Sequence, residues 1–156
     1  MVLESLSLKN FRSHKKTQLN FSDKLNFIVG GNGEGKTTIL EAISYLCTTK
    51  NFNNSNDTEI VAFNETNFEI DGIMKDNIKN NVRVYYSSEE NKKYYFIDQK
   101  QVNKASQVIG MFPVVLITQA DHNITQGYPA DRRKFIDFVI SQSSDIYLQT
   151  ILDYNK

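Results

Sequence analysis

The chain has 156 residues, 40% of them hydrophobic, which is enough for one domain with a buried core and too short for two. Its 18 Lys and Arg balance 18 Asp and Glu, which excludes a molecule that gathers nucleic acid by its overall field; any such contact has to come from a local patch or a partner. The single cysteine, Cys47, excludes an internal disulfide, and Glu4 and Lys9 interrupt the apolar N-terminal stretch, so the expected location is the cytoplasm, without a signal peptide or a membrane span.

In chain order, the first thirty residues alternate as strands do. Leu6 and Leu8 alternate with Ser7 and Lys9, then Thr17, Leu19 and Phe21 with Gln18 and Asn20, and then Leu25, Phe27 and Val29 with Asn26 and Ile28. After Gly35 the period changes, and Ile39, Ala42, Ile43, Leu46 and Cys47 follow helical spacing. The Asn-rich stretch 51–57 is expected to be an exposed loop. Further strands are expected at 68–71, 82–86 and 94–98. Residues 113–117 form a short apolar run suited to a fully buried strand. A helix is expected from Pro129, which suits position N1, with Asp131 in the first turn and an apolar face of Phe135, Ile136, Val139 and Ile140. Tyr147, Leu148, Ile151 and Leu152 mark a last helix, and the chain stops at Lys156 without a capping signal. The expected organisation is one domain over 1–156: strands and a glycine loop in 1–50, a loop and strands in 51–112, a buried strand and helices in 113–156.

Gly30-Gly31-Asn32-Gly33-Glu34-Gly35-Lys36-Thr37 fits G-x-x-x-x-G-K-[ST], the phosphate-binding P-loop, between an expected strand and an expected helix. Glycines let the backbone wrap closely, with N–H groups pointing at phosphate oxygens. The helix that follows adds its free N–H groups and positive dipole end. Lys36 is expected to reach the β- and γ-phosphates of ATP, and the Thr37 hydroxyl to ligate Mg²⁺. Thr38 completes the expected nucleotide set. The competing reading is a chance glycine turn before a core helix; the strand–loop–helix context weighs against it.

Several runs resemble the RecF family of SMC-like ABC ATPases. They are Asn10-Phe11-Arg12-Ser13-His14, the P-loop helix from Gly33 to Ile43, and the strand from Phe112 to Ile117 with Ala120-Asp121 after it. The most specific is the run from Gly127 to Asp137, which fits G-x-P-x-x-R-R-x-F-x-D. The resemblance implies an α/β fold: the N-terminal lobe of an ABC-type P-loop ATPase head, with a mixed or antiparallel sheet beside the P-loop strand and helix. It implies a nucleotide-phosphate contact for Arg12 and a metal-ligating role for Gln119, which stands where the Q-loop glutamine of ABC ATPases does; a plain turn residue is the alternative for Gln119. For the full-length family it implies an ATP-dependent homodimer, binding to single-stranded or gapped DNA, recombination mediator partners, and work in replication, recombinational repair and the SOS response.

The family continues through a helical arm into a second half that carries a signature motif, a Walker B acidic pair and a switch histidine. No apolar strand here ends in Asp-Glu; the candidate at 114–117 ends in Thr118. The chain is therefore expected to be an N-terminal part that binds ATP without hydrolysing it alone. Alternatives are another SMC-like head, against which the 127–137 run argues, and a non-catalytic interaction module. A small-molecule P-loop kinase would need lid arginines, which 51–57 does not offer. Arg132 and Arg133 are candidates for DNA or an interface, or for a helix-surface pair between Arg133 and Asp137. His14 and His122 lack metal-ligand spacing, and His14 is expected at the surface. Tyr85, Tyr86, Tyr94 and Tyr95 are expected to pack a sheet more readily than to stack on bases.

Overall fold

The computed structural model describes residues 1–52, 55–118 and 121–154. β1 (Val2–Phe11) and β2 (His14–Asn20) form a hairpin that closes where Phe11 faces His14. β3 (Asn67–Lys75) pairs with the other edge of β1, and β4 (Lys79–Ser87), β5 (Lys92–Ile97) and β6 (Lys100–Val102) continue as a meander. The result is a six-stranded antiparallel sheet of order β2-β1-β3-β4-β5-β6.

Register follows the hydrophobic pattern, because a one-residue slip would turn every side chain to the wrong face. Leu8 lies opposite Ile70, Ile70 opposite Val84 and Val84 opposite Tyr95, which puts all four on one buried face. The opposite face carries Ser7, Asp71, Arg83 and Phe96 in register. The four tyrosines divide between the faces. Tyr86 and Tyr95 are buried, whereas Tyr85 and Tyr94 lie against each other outside, with ring centroids 6.3 Å apart.

α1 (Lys36–Thr48) lies on the apolar face with the expected residues Ile39, Ala42, Leu46 and Cys47 buried, and with Tyr45 and Glu41 buried beside them. Gly72 in β3 permits the approach: a β-carbon there would stand 2.5 Å from Leu46 Cδ1. The Tyr95 hydroxyl donates to the Leu46 carbonyl. Phe11, Tyr45 and Phe68 meet edge to face, with centroids 5.3–6.4 Å apart. Burying a side chain of this size contributes roughly 1.5–3 kcal/mol, so Tyr45 adds to the adhesion of helix to sheet beside Ile39, Leu46 and Cys47.

Three expectations give way. Residues 25–29 form no strand; Leu25, Phe27 and Val29 are exposed, and Ile28 turns inward onto the core. The run 113–117 is neither a strand nor fully buried: Val115 and Ile117 are 73% and 82% exposed. Residues 113–117 alternate between exposed and half-buried, whereas in 25–29 only Ile28 is covered; no strand among the described residues pairs with either segment, so the outward positions stay open. A side chain completes part of the second segment, since Gln142 accepts from Val114 N (2.8 Å) and donates to Val114 O (3.1 Å). Asn51, expected in an exposed loop, is 5% exposed, because its amide braces Ser55 through two hydrogen bonds.

The C-terminal part holds α2 (His122–Gln126), α3 (Pro129–Ser143) and α4 (Asp145–Tyr154). α3 starts with Pro129 in its first turn and Asp131 near its N-terminus, as expected. Its apolar face is only half covered, with Phe135, Ile136, Val139 and Ile140 between 36% and 51% exposed. No helix among the described residues is long and apolar enough to cross a membrane.

Candidate functional site

The loop 30–37 connects the extended segment after β2 to the first turn of α1. Gly35 caps the helix at φ 82°, and Gly33 sits at φ 84°. A side chain at Gly35 would be strained by that φ and blocked by neighbours: a β-carbon there would meet Ser13 Oγ at 2.9 Å and collide with the His14 ring. The β1–β2 turn thus props the loop from below. His14 Nε2 lies 3.2 Å from Gly35 O, and its Nδ1 lies 2.9 Å from Thr17 Oγ1. His14 is half-buried at this contact, not a plain surface residue. Its distance from residue 35 in sequence hid this role; the one clue was the Arg12-Ser13-His14 turn itself.

Two charged side chains fold into the loop. Lys36 Nζ donates to Gly30 O (2.9 Å) and Gly31 O (2.5 Å). Glu34 Oε2 accepts from Gly31 N at 2.8 Å. No side chain caps α1, so its first N–H groups add to a concentration of donors that favours an anion. Gly31 N already holds one, the Glu34 carboxylate. Asn32, Gly33, Glu34 and Thr37 are exposed; Thr38 is half-buried one residue further into the helix.

Arg12 lies in the β1–β2 turn at φ 51° and reaches α1. Its Nε and Nη2 donate to Glu41 Oε2 and Oε1 at 2.5 and 2.7 Å, and Nη2 also donates to Ser55 Oγ at 3.2 Å. Hydrogen bonding to Glu41 raises the guanidinium pKa above its ordinary value. Deeper along α1, Lys93 Nζ donates to Tyr45 Oη (2.8 Å) and Asp57 Oδ2 (2.9 Å), tying the turn at 57–59 to β5.

Gln119 lies outside the described residues. Among the described residues no group of three or more His, Cys, Asp and Glu side chains could hold a metal ion. Thr37, the last residue of the loop, offers one exposed hydroxyl, the kind of single oxygen ligand that suits a cation already carrying phosphate oxygens. Asp137 accepts from Tyr147 Oη at 2.6 Å, not from Arg133, the helix-surface pair that was one of the two alternatives for that arginine, and Arg132 donates to Gly127 O at 3.3 Å. A cavity of about 550 Å³ lies elsewhere, lined by Ser44, Thr48, Phe52, Val114, Leu116 and Phe138 among others. No residue of the loop 30–37 borders it, and its mostly apolar walls offer little to phosphate.

The chain is similar to known proteins over its length. The AAA domain family matches residues 5–155. The DNA replication and repair protein RecF of Leptospira interrogans is 40% identical over 158 residues, spanning 100% of this chain and 43% of that protein. The solved structure of the recombination mediator protein RecF-ATPrS in the RecFOR pathway superposes with a TM-score of 0.91 at 29% identity, covering 99% of this chain and 42% of that one. The SMC head domain from Thermotoga maritima shares the fold, at 23% identity and a TM-score of 0.55 over 66% of this chain and 39% of that one. The chain thus spans less than half the length of the curated relatives it matches.

Proposed function

The chain belongs to the AAA domain family and is RecF-like along its length, and on that premise we propose that residues 30–37 bind the phosphates of ATP together with Mg²⁺. The observation that carries this reading is the loop itself: Lys36 turned into it, an anion already on Gly31 N, and an uncapped helix start behind it. The amides from Gly30 to Gly35 and the first turn with Thr38 would cradle the phosphates. Lys36 would exchange two carbonyl contacts for phosphate oxygens, a stronger charge-assisted bond. Thr37 would ligate the Mg²⁺, which supplies charge neutralisation at the phosphates when bound. Arg12 would add a phosphate contact from the edge of the site, and Gln119 a metal contact.

In the longer protein the nucleotide would serve DNA replication and recombinational repair, as the names of the relatives suggest. We assign DNA binding, ATP-dependent homodimerisation, mediator partners and a role in the SOS response to that whole, located in the cytoplasm. With equal numbers of acidic and basic residues, this chain alone should hold DNA weakly, in a way that fades steeply with salt.

Calorimetric titration with ATP and Mg²⁺ tests the assignment. Lys36→Ala should weaken binding by about 1.5–3 kcal/mol, the usual cost of losing a hydrogen bond to a charged group, with an unchanged circular dichroism spectrum. Equal affinity in the two proteins would refute the phosphate site.

A further inference from the structure

The Gly30–Gly31 peptide group is held at both ends by charged side chains of the same loop. Lys36 Nζ takes its carbonyl, Gly30 O, at 2.9 Å, and Glu34 Oε2 takes its N–H, Gly31 N, at 2.8 Å. The carboxylate lies over the backbone so closely that a β-carbon at Gly31 would stand 3.1 Å from Glu34 Oε1, and one at Gly30 would collide with Oε2. Glu34 is the last of the four unspecified positions of G-x-x-x-x-G-K-[ST], directly before the helix-capping Gly35; the phosphate motif does not require an acid there, and like charges repel, so an acid is a poorly compatible choice beside a polyanion.

We propose that Glu34 is a built-in competitor for the phosphate site, its carboxylate standing on the Gly31 N–H until a nucleotide displaces it. This rests on the phosphate-binding reading above. A carboxylate and a phosphate oxygen make the same kind of charge-assisted bond to a backbone N–H, so one excludes the other at a single donor. Binding then requires the open rotamer of Glu34, and the apparent affinity is reduced by the fraction of molecules in that rotamer. The latch also selects its ligand. A nucleoside triphosphate with Mg²⁺ brings several oxygens and a cation that tolerates the displaced carboxylate nearby, whereas inorganic phosphate must compete with fewer contacts.

A charge effect and a latch are separable by side-chain length. Glu34→Ala removes both the charge and the reach; Glu34→Asp keeps the charge but is one methylene shorter and cannot span to Gly31 N from the same backbone. The contact is solvent-exposed, so the gain is modest, about 3- to 10-fold tighter ATP–Mg²⁺ binding for both variants. The association rate measured with a fluorescent ATP analogue should rise by a similar factor. In both variants without nucleotide, the Gly31 amide resonance should shift as its acceptor is lost. If Glu34→Asp binds like wild type while Glu34→Ala binds tighter, the effect is electrostatic repulsion alone and the latch is refuted. Unchanged or weaker binding in both variants refutes it as well. Lys36→Ala, measured in parallel, separates this from the premise: if it binds as tightly as wild type, the phosphate site itself falls; if it loses affinity while neither Glu34 variant gains, only the latch does.

Discussion

Arg12 and Glu41 meet as a two-point guanidinium–carboxylate pair, joining the β1–β2 turn to the second turn of α1. Glu41 is only 2% exposed, whereas the Arg12 side chain keeps 28% of its surface in water. The pair is therefore a structural clamp beneath the phosphate loop, whatever else Arg12 touches. Arg12→Ala should destabilise the fold by about 2–3 kcal/mol, because it strands a buried carboxylate. Chemical denaturation measures this. Adding Glu41→Leu should restore most of the loss, since an apolar replacement removes the orphaned charge. If Arg12 also holds phosphate, the double variant still binds ATP weakly; restored affinity would reduce Arg12 to the clamp alone.

Acidic side chains on the outer face of the sheet give the fold a pH dependence. Burial, and then the neighbouring Glu69 charge, push the Asp71 carboxyl up to about 6, against a partial offset from Arg83. Arg83 bonds Glu69 closely and reaches Asp71 only at 3.9 Å. Between pH 4 and 6 the folded chain therefore binds more protons at this site than the unfolded chain does. The site's contribution to stability falls as pH rises through that window and is constant above it. Asp71→Asn should flatten this slope and raise the denaturation midpoint at pH 7.5 relative to wild type. An unchanged slope in the variant would place the titration elsewhere.

ATP turnover by this chain alone should stay near background. Phosphoryl transfer to water needs a positioned phosphate, a bridging metal and a group that orients the water. Three acidic side chains that could be considered for the third already hold partners of their own: Glu41 binds Arg12, Asp121 accepts from the Thr118 N–H, and Asp137 accepts from Tyr147. Affinity without transition-state contacts does not make rate. Phosphate release under excess ATP reads this directly, and steady hydrolysis that Lys36→Ala abolishes would contradict it.

Cys47 should resist thiol reagents in the folded state. It is 6% exposed on the inner face of α1, and burial pushes its thiol pKa up to about 12, which leaves almost no thiolate at neutral pH. Labelling with a maleimide should proceed only at the rate of unfolding, and rise sharply with denaturant. Rapid labelling of the native chain would mean that α1 detaches from the sheet.

Local rules account for what the sequence by itself determined. Alternation placed Leu6 and Leu8 in a strand, and helical spacing placed Ile39, Ala42, Leu46 and Cys47 on one face of α1, because side-chain direction repeats every 2 residues in a strand and every 3.6 in a helix. Loop 30–37 was legible for a similar reason: a close-wrapping backbone needs Gly at set positions, and Gly33 and Gly35 do adopt positive φ. Only the tertiary structure decided the rest, since it depends on partners distant in sequence. Alternation at 25–29 and the short apolar run at 113–117 promised paired strands, but a strand needs a neighbouring strand's hydrogen bonds, and among the described residues neither segment pairs with one. Nothing in the local pattern of Arg12 or Glu41 revealed that they would bind each other across 29 positions. Nor could it show His14 under Gly35, a contact that spans 21 positions and exists only once the chain has closed. Glu34 on Gly31 is only three positions apart, but it too needs the folded loop, which turns the Gly31 N–H toward the carboxylate.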